Sequence, residues 1–228
     1  MSRVIIFGNR KGGVGKSTLT MMTATALSQA PFNKKVLVID ADDQQSLIKF
    51  RNEDVSDNLD AEPSYKILSC LNDIERLYEI IQRAKKASHD YIFIDVAGRL
   101  DDFTKKVLFY VDTLIVPFQA GNFSLESTFD YIEFALKVSN KRKTNNMSNI
   151  KMLGFVNMYI KRRTHSRGAK EDLEAFEKYV KVMGTSLGFY SAFMDANTVD
   201  SIYSSKSKEI AKLNFKNWIN ELIKEVEL

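Results

Sequence analysis

Short apolar runs alternate with longer segments in which apolar residues recur every three or four positions. The runs Val4–Gly8, Lys35–Asp40, Tyr91–Asp95, Thr113–Pro117 and Met152–Asn157 read as strands, with Phe189–Met194 as a sixth. Three of them contain the unbroken apolar stretches Val36-Leu37-Val38-Ile39, Tyr91-Ile92-Phe93-Ile94 and Leu114-Ile115-Val116. A strand with no polar alternation has both faces covered, as in a parallel sheet flanked by helices. Helical spacing marks Leu19–Leu27, Leu71–Ala87 and Leu125–Val138, the last opening with capping chemistry at Ser124 and Glu126-Ser127. Near the end, Phe215, Trp218, Ile219, Leu222, Ile223 and Val226 share one helical face.

Strand and helix in alternation predict βαβ units, hence an α/β fold with a doubly wound, mostly parallel sheet flanked by helices. In such a sheet the ligand lies outside the carboxyl ends of the strands. The 228 residues suit a single domain over 1–228, and no repeat or linker interrupts it. Apolar runs all fall short of membrane-spanning length, and the first strand begins almost at once, so neither a signal peptide nor an N-terminal DNA-binding module is expected. The lone Cys70 excludes an intramolecular disulfide and points to a cytoplasmic location. With 33 Lys+Arg against 29 Asp+Glu the net charge is only +4, which permits nucleic-acid binding without arguing for it.

The first strand runs into Arg10-Lys11-Gly12-Gly13-Val14-Gly15-Lys16-Ser17-Thr18 and then a helix. Gly12, Gly13 and Gly15 let successive backbone N–H groups converge on an anion at that helix's N-terminus. Lys16 brings a mobile cation to the outer phosphates of a nucleotide, and Ser17 is placed to bind Mg²⁺. Where the usual phosphate loop begins with Gly, this chain has Arg10, followed by a second lysine, Lys11. Strand two ends in Asp40-Ala41-Asp42-Asp43, and carboxylates grouped there are expensive unless they meet water or a metal. Strand three ends in Asp95-Val96-Ala97-Gly98, the arrangement in which an Asp holds Mg²⁺ through water and a Gly admits a backbone N–H to the γ-phosphate.

The two lysines in KGGVGKST resemble the deviant Walker A motif of the ParA/MinD family of ATPases. The resemblance extends over the whole chain in strand order, with specific motifs at residues 9–18, 38–46 and 91–98. The D-x-A-G form at Asp95 is similar to the small ParF-like plasmid partition ATPases. It implies a P-loop ATPase that binds ATP and Mg²⁺ and forms a homodimer with ATP, Lys11 reaching the partner's nucleotide. It further implies that Asp42 orients or deprotonates the attacking water, that Asp40 supports the metal shell with Ser17 and Asp95, and that Asn157 meets the adenine edge. Asp43 stands where the family has Pro, which leaves a second carboxylate competing with Asp42.

The same likeness implies nonspecific DNA binding, a nucleoid-associated position and a small centromere-binding protein as partner. Lys161, Arg162, Arg163, Arg167 and Lys170 are the candidate DNA contacts, with Lys141-Arg142-Lys143 a possible extension. Two alternatives share the fold: a MinD-like membrane-associated ATPase and a dethiobiotin synthetase-like biosynthetic enzyme. The first is disfavoured because Glu221, Glu225 and Glu227 offset Lys216 and Lys224 on the last helix, so no membrane partner is expected. The second needs a pocket for a small acid, for which the chain offers no residue set.

Overall fold

The computed structural model describes residues 2–57, 60, 62–119, 125–160, 167–203 and 209–228; for 167–170 and 172 it describes the backbone alone. Seven strands form one sheet: β1 (Arg3–Phe7), β2 (Val36–Asp40), β3 (Lys66–Ser69), β4 (Tyr91–Asp95), β5 (Thr113–Phe118), β6 (Lys151–Val156) and β7 (Lys181–Val182). Their order is β3-β2-β4-β1-β5-β6-β7, and every pairing is parallel. The helices are α1 (Lys16–Ser28), α2 (Ser46–Asp57), α3 (Ile74–Lys86), α4 (Asp102–Leu108), α5 (Glu126–Thr144), α6 (Arg167–Glu177), α7 (Ser191–Met194) and α8 (Glu209–Glu227).

Side-chain alternation along each strand builds two cores. Val4 and Ile6 of β1 point to the side holding Leu77 and Ile81 of α3, Val107 of α4 and Tyr131 of α5. Ile5 and Phe7 point to the other, where Leu19 and Met22 of α1 meet Phe215 and Trp218 of α8. Because both faces are covered, β1, β2, β4 and β5 are apolar nearly throughout.

The apolar face expected near the C-terminus is spent on this second core. Trp218 is wholly buried, its ring 6.3 Å from Phe7 and 5.1 Å from Phe155. Fully burying side chains of this size contributes roughly 1.5–3 kcal/mol each. Tyr91 at the start of β4 donates to the Glu227 carboxylate at 2.7 Å, fixing the far end of α8. No described helix is long and apolar enough to cross a membrane.

Phe189–Met194 is not a strand. Residues 191–194 form the short helix α7, and the preceding residues meet the sheet region through an isolated parallel bridge between Tyr159 and Gly188 and the hydrogen bond from the Leu187 N–H to the Val156 carbonyl of β6. Its aromatic residues suit a strand, but Tyr190 and Phe193 instead stack edge-on at 5.3 Å, and Phe193 packs on Phe215 of α8. Ser124 lies outside the described residues, and α5 starts after Leu125 without a side-chain cap.

Candidate nucleotide site

Residues 8–15 leave β1 at its carboxyl end and deliver the chain into α1. Gly15 precedes α1 with φ 87°, a left-handed conformation that side chains resist, and a Cβ there would sit 3.0 Å from Asn157 Nδ2. The first turn of α1 has neither a side-chain cap nor an acidic residue. Its leading N–H groups therefore face outward with the positive end of the helix dipole, which is what an anion requires.

Asn9 holds this loop from beneath. It is completely buried, donates through Nδ2 to the Pro117 carbonyl at 2.8 Å and to Thr128 Oγ1 at 3.0 Å, and accepts the Lys11 N–H at 2.9 Å. Sequence reasoning gave Asn9 no role, since Pro117 and Thr128, which anchor it, lie more than a hundred positions away. Arg10, where a glycine would usually stand, turns outward to an ion pair with Asp130 at 2.6 Å.

Lys16, Asp42, Asp95 and Gly98 converge above the loop. A Cβ on Gly98 would come within 2.8 Å of the Asn9 carbonyl oxygen and 2.9 Å of Lys16 Nζ, so only glycine lets the loop after β4 approach this closely. Burial lowers the pKa of Lys16, opposed by the charges of Asp95 and Asp42. Asp95 is wholly buried and neither carboxylate oxygen has a hydrogen bond of good geometry. Burial raises its pKa to about 7; Ser17 pulls it down, Asp40 and Asp42 push it up, and Lys16 lowers it. An unpartnered carboxylate beside a serine hydroxyl suits a hard divalent cation, so the residues present fit Mg²⁺.

The other carboxylates divide their roles. Asp40 accepts from the Leu47 and Ile48 N–H groups at 3.0 and 3.1 Å through one oxygen, and from Asp42 N–H at 3.3 Å through the other. It caps the start of α2 through one oxygen, while the other accepts from Asp42 N–H alone. Asp43 points away to Arg99, which donates to both of its oxygens at 2.9 Å. Its pKa is lowered by its interaction with the neighbouring Asp42 and by the Arg99 guanidinium. Asp42 is the reverse: burial raises its pKa, partly offset by the Gln44 N–H it accepts at 2.9 Å, while Asp43 adds to the rise.

Helix α2, which continues this loop, is clasped at its far side. Arg51 Nε donates to Thr198 Oγ1 at 2.8 Å, and Thr198 in turn donates from its N–H to Asp54 at 2.7 Å. Asn157 is buried and donates Nδ2 to the Val14 carbonyl at 2.8 Å. One of its two amide N–H groups is thus engaged on the phosphate loop, which leaves the other N–H and Oδ1 for the adenine edge. Beside it a narrow cleft of about 50 Å³ runs from Gly15 and Thr18 to Phe189 and Tyr190.

Lys161, Arg162 and Arg163 lie outside the described residues. Arg167 and Lys170 fall on α6, whose first residues are described as backbone only. Arg142 does not extend the basic strip: it is buried, and its guanidinium donates to the Val111 carbonyl.

A parallel sheet in this order, with a glycine loop leading from its central strand into a helix, defines a P-loop NTPase fold. The chain belongs to the CobQ/CobB/MinD/ParA nucleotide-binding domain family, whose model matches residues 5–199. It is similar to a plasmid partition protein of Borrelia burgdorferi B31 bound to AMPPNP, at 22% identity and TM-score 0.69, covering 99% of this chain and 100% of that one. It is also similar to the cell division protein of the Aquifex aeolicus MinC:MinD complex, at 23% identity and TM-score 0.66, covering 98% and 96%. An uncharacterized protein of Methanocaldococcus jannaschii is 24% identical over 264 aligned positions, covering 97% of this chain and 99% of its own.

Proposed function

We propose that this chain is a Mg²⁺-dependent ATPase that dimerises on ATP, binds DNA without sequence preference and drives segregation of a plasmid or mobile element with a small centromere-binding protein. The observation that carries the ATPase reading is the buried, unpartnered Asp95 carboxylate beside Ser17 and Lys16 at the uncapped start of α1. The partition role rests on the Borrelia protein's likeness together with the paired lysines of the loop.

The backbone N–H groups of 12–18 hold the phosphates, and Lys16 neutralises the outer ones. Ser17 and Asp95 hold Mg²⁺, which when bound offsets phosphate charge as it builds during transfer. Asp40 acts on that shell by holding the Asp42 loop in place. Asp42 orients the attacking water and takes its proton, a role suited to a carboxylate whose pKa is raised. Gly98 lets the loop after β4 close on the γ-phosphate, and Asn157 offers Oδ1 and its second amide N–H to the adenine edge. Lys11 has no ion-pair partner among the described residues, and it serves the nucleotide of a second subunit. Lys161, Arg162, Arg163, Arg167 and Lys170 carry the DNA contact. Phe215, Trp218, Ile219, Leu222 and Val226 of α8 are buried against the sheet, so the apolar face expected near the C-terminus is engaged within the fold, which speaks against a membrane-associated reading.

Phosphate release from ATP, with Mg²⁺ or with EDTA, tests the enzyme. Light scattering of the apo, ADP and non-hydrolysable ATP forms, with and without duplex DNA, tests the assembly. Turnover unaffected by EDTA would refute the metal site, and an unchanged mass in every nucleotide state would refute the dimer.

A further inference from the structure

Between α4 and α5 runs an open cleft of about 710 Å³, within the usual size of a binding cleft. Lys105 and Lys106 on α4 and Lys137 and Lys141 on α5 line it, all four exposed. Phe109, Tyr110 and Phe134 form its half-buried floor. Tyr78 of α3 supports that floor, its ring 5.4 Å from Tyr110.

Few acidic groups answer those lysines. Asp102 lies at one end, and Glu133 pairs with Lys137 at 2.7 Å. Lys105, Lys106 and Lys141 have no ion pair among the described residues. The cleft is therefore positive along both rims and aromatic between them. Its complement is a ligand that is apolar along its middle and acidic along both sides.

We propose that this cleft docks an acidic amphipathic helix of a partner protein. Apolar side chains spaced at i, i+3 or i+4, and i+7 would lie on the aromatic floor, and flanking Glu or Asp would meet the lysines. Duplex nucleic acid supplies phosphates for the rims but nothing for the floor, and a small anion leaves most of the volume empty. The inference is independent of the nucleotide reading, because none of these residues belongs to that site.

The test selects a displayed library of random 16-residue peptides against the full chain and, in parallel, against Lys105→Glu/Lys141→Glu. Enrichment on the wild type of sequences with acidic residues flanking a helical apolar stripe, binding at least tenfold more weakly to the double variant by fluorescence anisotropy, is the expected result. An unchanged thermal midpoint checks that the variant is folded; if it is not, Lys105→Gln/Lys141→Gln replaces it. No enrichment over the variant, or a selected pattern that is basic or lacks the apolar stripe, overturns the proposal. So does a double variant that loses binding to a 24-base-pair duplex while no acidic peptide is enriched, which assigns the cleft to nucleic acid.

Discussion

Arg99 and Asp43 join the two loops that flank the candidate nucleotide site: one guanidinium nitrogen lies 2.9 Å from each oxygen of the carboxylate. Asp43 follows β2 and Arg99 follows β4, so the loops carrying Asp42 and Gly98 are tied together at their outer edge. Both partners are substantially exposed, so the pair adds little to stability. Its effect is on direction: with Asp43 held outward, Asp42 is the carboxylate of the two whose charge is felt by Lys16.

Asp42→Ala should therefore retain ATP binding and lose hydrolysis by about a hundredfold or more, the usual cost of removing a proton acceptor. Asp43→Ala and Arg99→Ala should each be milder and similar to one another. Steady-state phosphate release with a separate affinity measurement decides it. Greater damage from Asp43→Ala than from Asp42→Ala would mean that the two have exchanged roles.

The two loop lysines should separate by assay. Lys16→Ala removes the cation that faces the outer phosphates, and affinity for ATP should fall by about 10- to 150-fold, as expected for losing a hydrogen bond to a charged group. Lys11→Ala should bind ATP nearly as the wild type does and sediment as a monomer with it. A normal ATP-dependent dimer of Lys11→Ala would remove the basis for a role across the interface.

Arg162→Ala/Arg163→Ala should flatten the salt dependence of DNA binding without altering ATP affinity. Each neutralised phosphate contributes about −0.9 to the slope of log affinity against log salt. Anisotropy titrations over a salt series measure it, and a slope equal to that of the wild type would place the DNA surface elsewhere.

Cys70 is fully buried, and burial raises its thiol from 9.0 to about 11. The unfolded chain thus loses this proton first, the folded chain holds more protons above pH 9, and stability declines as pH climbs from about 9 to 11 with no such effect below. Cys70→Ala should flatten that decline in urea titrations. Alkylation of the native protein at about pH 8 should be at least about a hundredfold slower than that of an exposed thiol, given the smaller thiolate fraction. Rapid labelling under native conditions would show that the site opens readily.

Strands covered on both faces announce themselves, which is why β1, β2, β4, β5 and β6 were legible within a residue or two. The strand β3 was not, because Lys66–Ser69 lies at the sheet edge with Lys66 and Leu68 exposed, and the two-residue β7 is too short to leave a pattern. Aromatic content misled at Phe189–Met194, where rings serve packing against α8 rather than a pleat. Glycines and lysines of the phosphate loop could be read because local spacing alone brings them together. The bracing of that loop by Asn9 on Thr128, the turning of Asp43 to Arg99 and the bond from Asn157 to the Val14 carbonyl all depend on tertiary contacts, and so left no trace in spacing.

Trp218 is the sole tryptophan of the chain, and it is enclosed by Phe7 of the central strand, Phe155 of β6 and Phe215 of its own helix. Its fluorescence consequently reports one place where the middle of the sheet, its β6 side and the last helix meet. Emission should be that of an indole in an apolar setting, insensitive to dissolved quenchers while the protein is intact. A red shift marks the parting of α8 from the sheet, so the molecule carries its own optical gauge of that union without an added label.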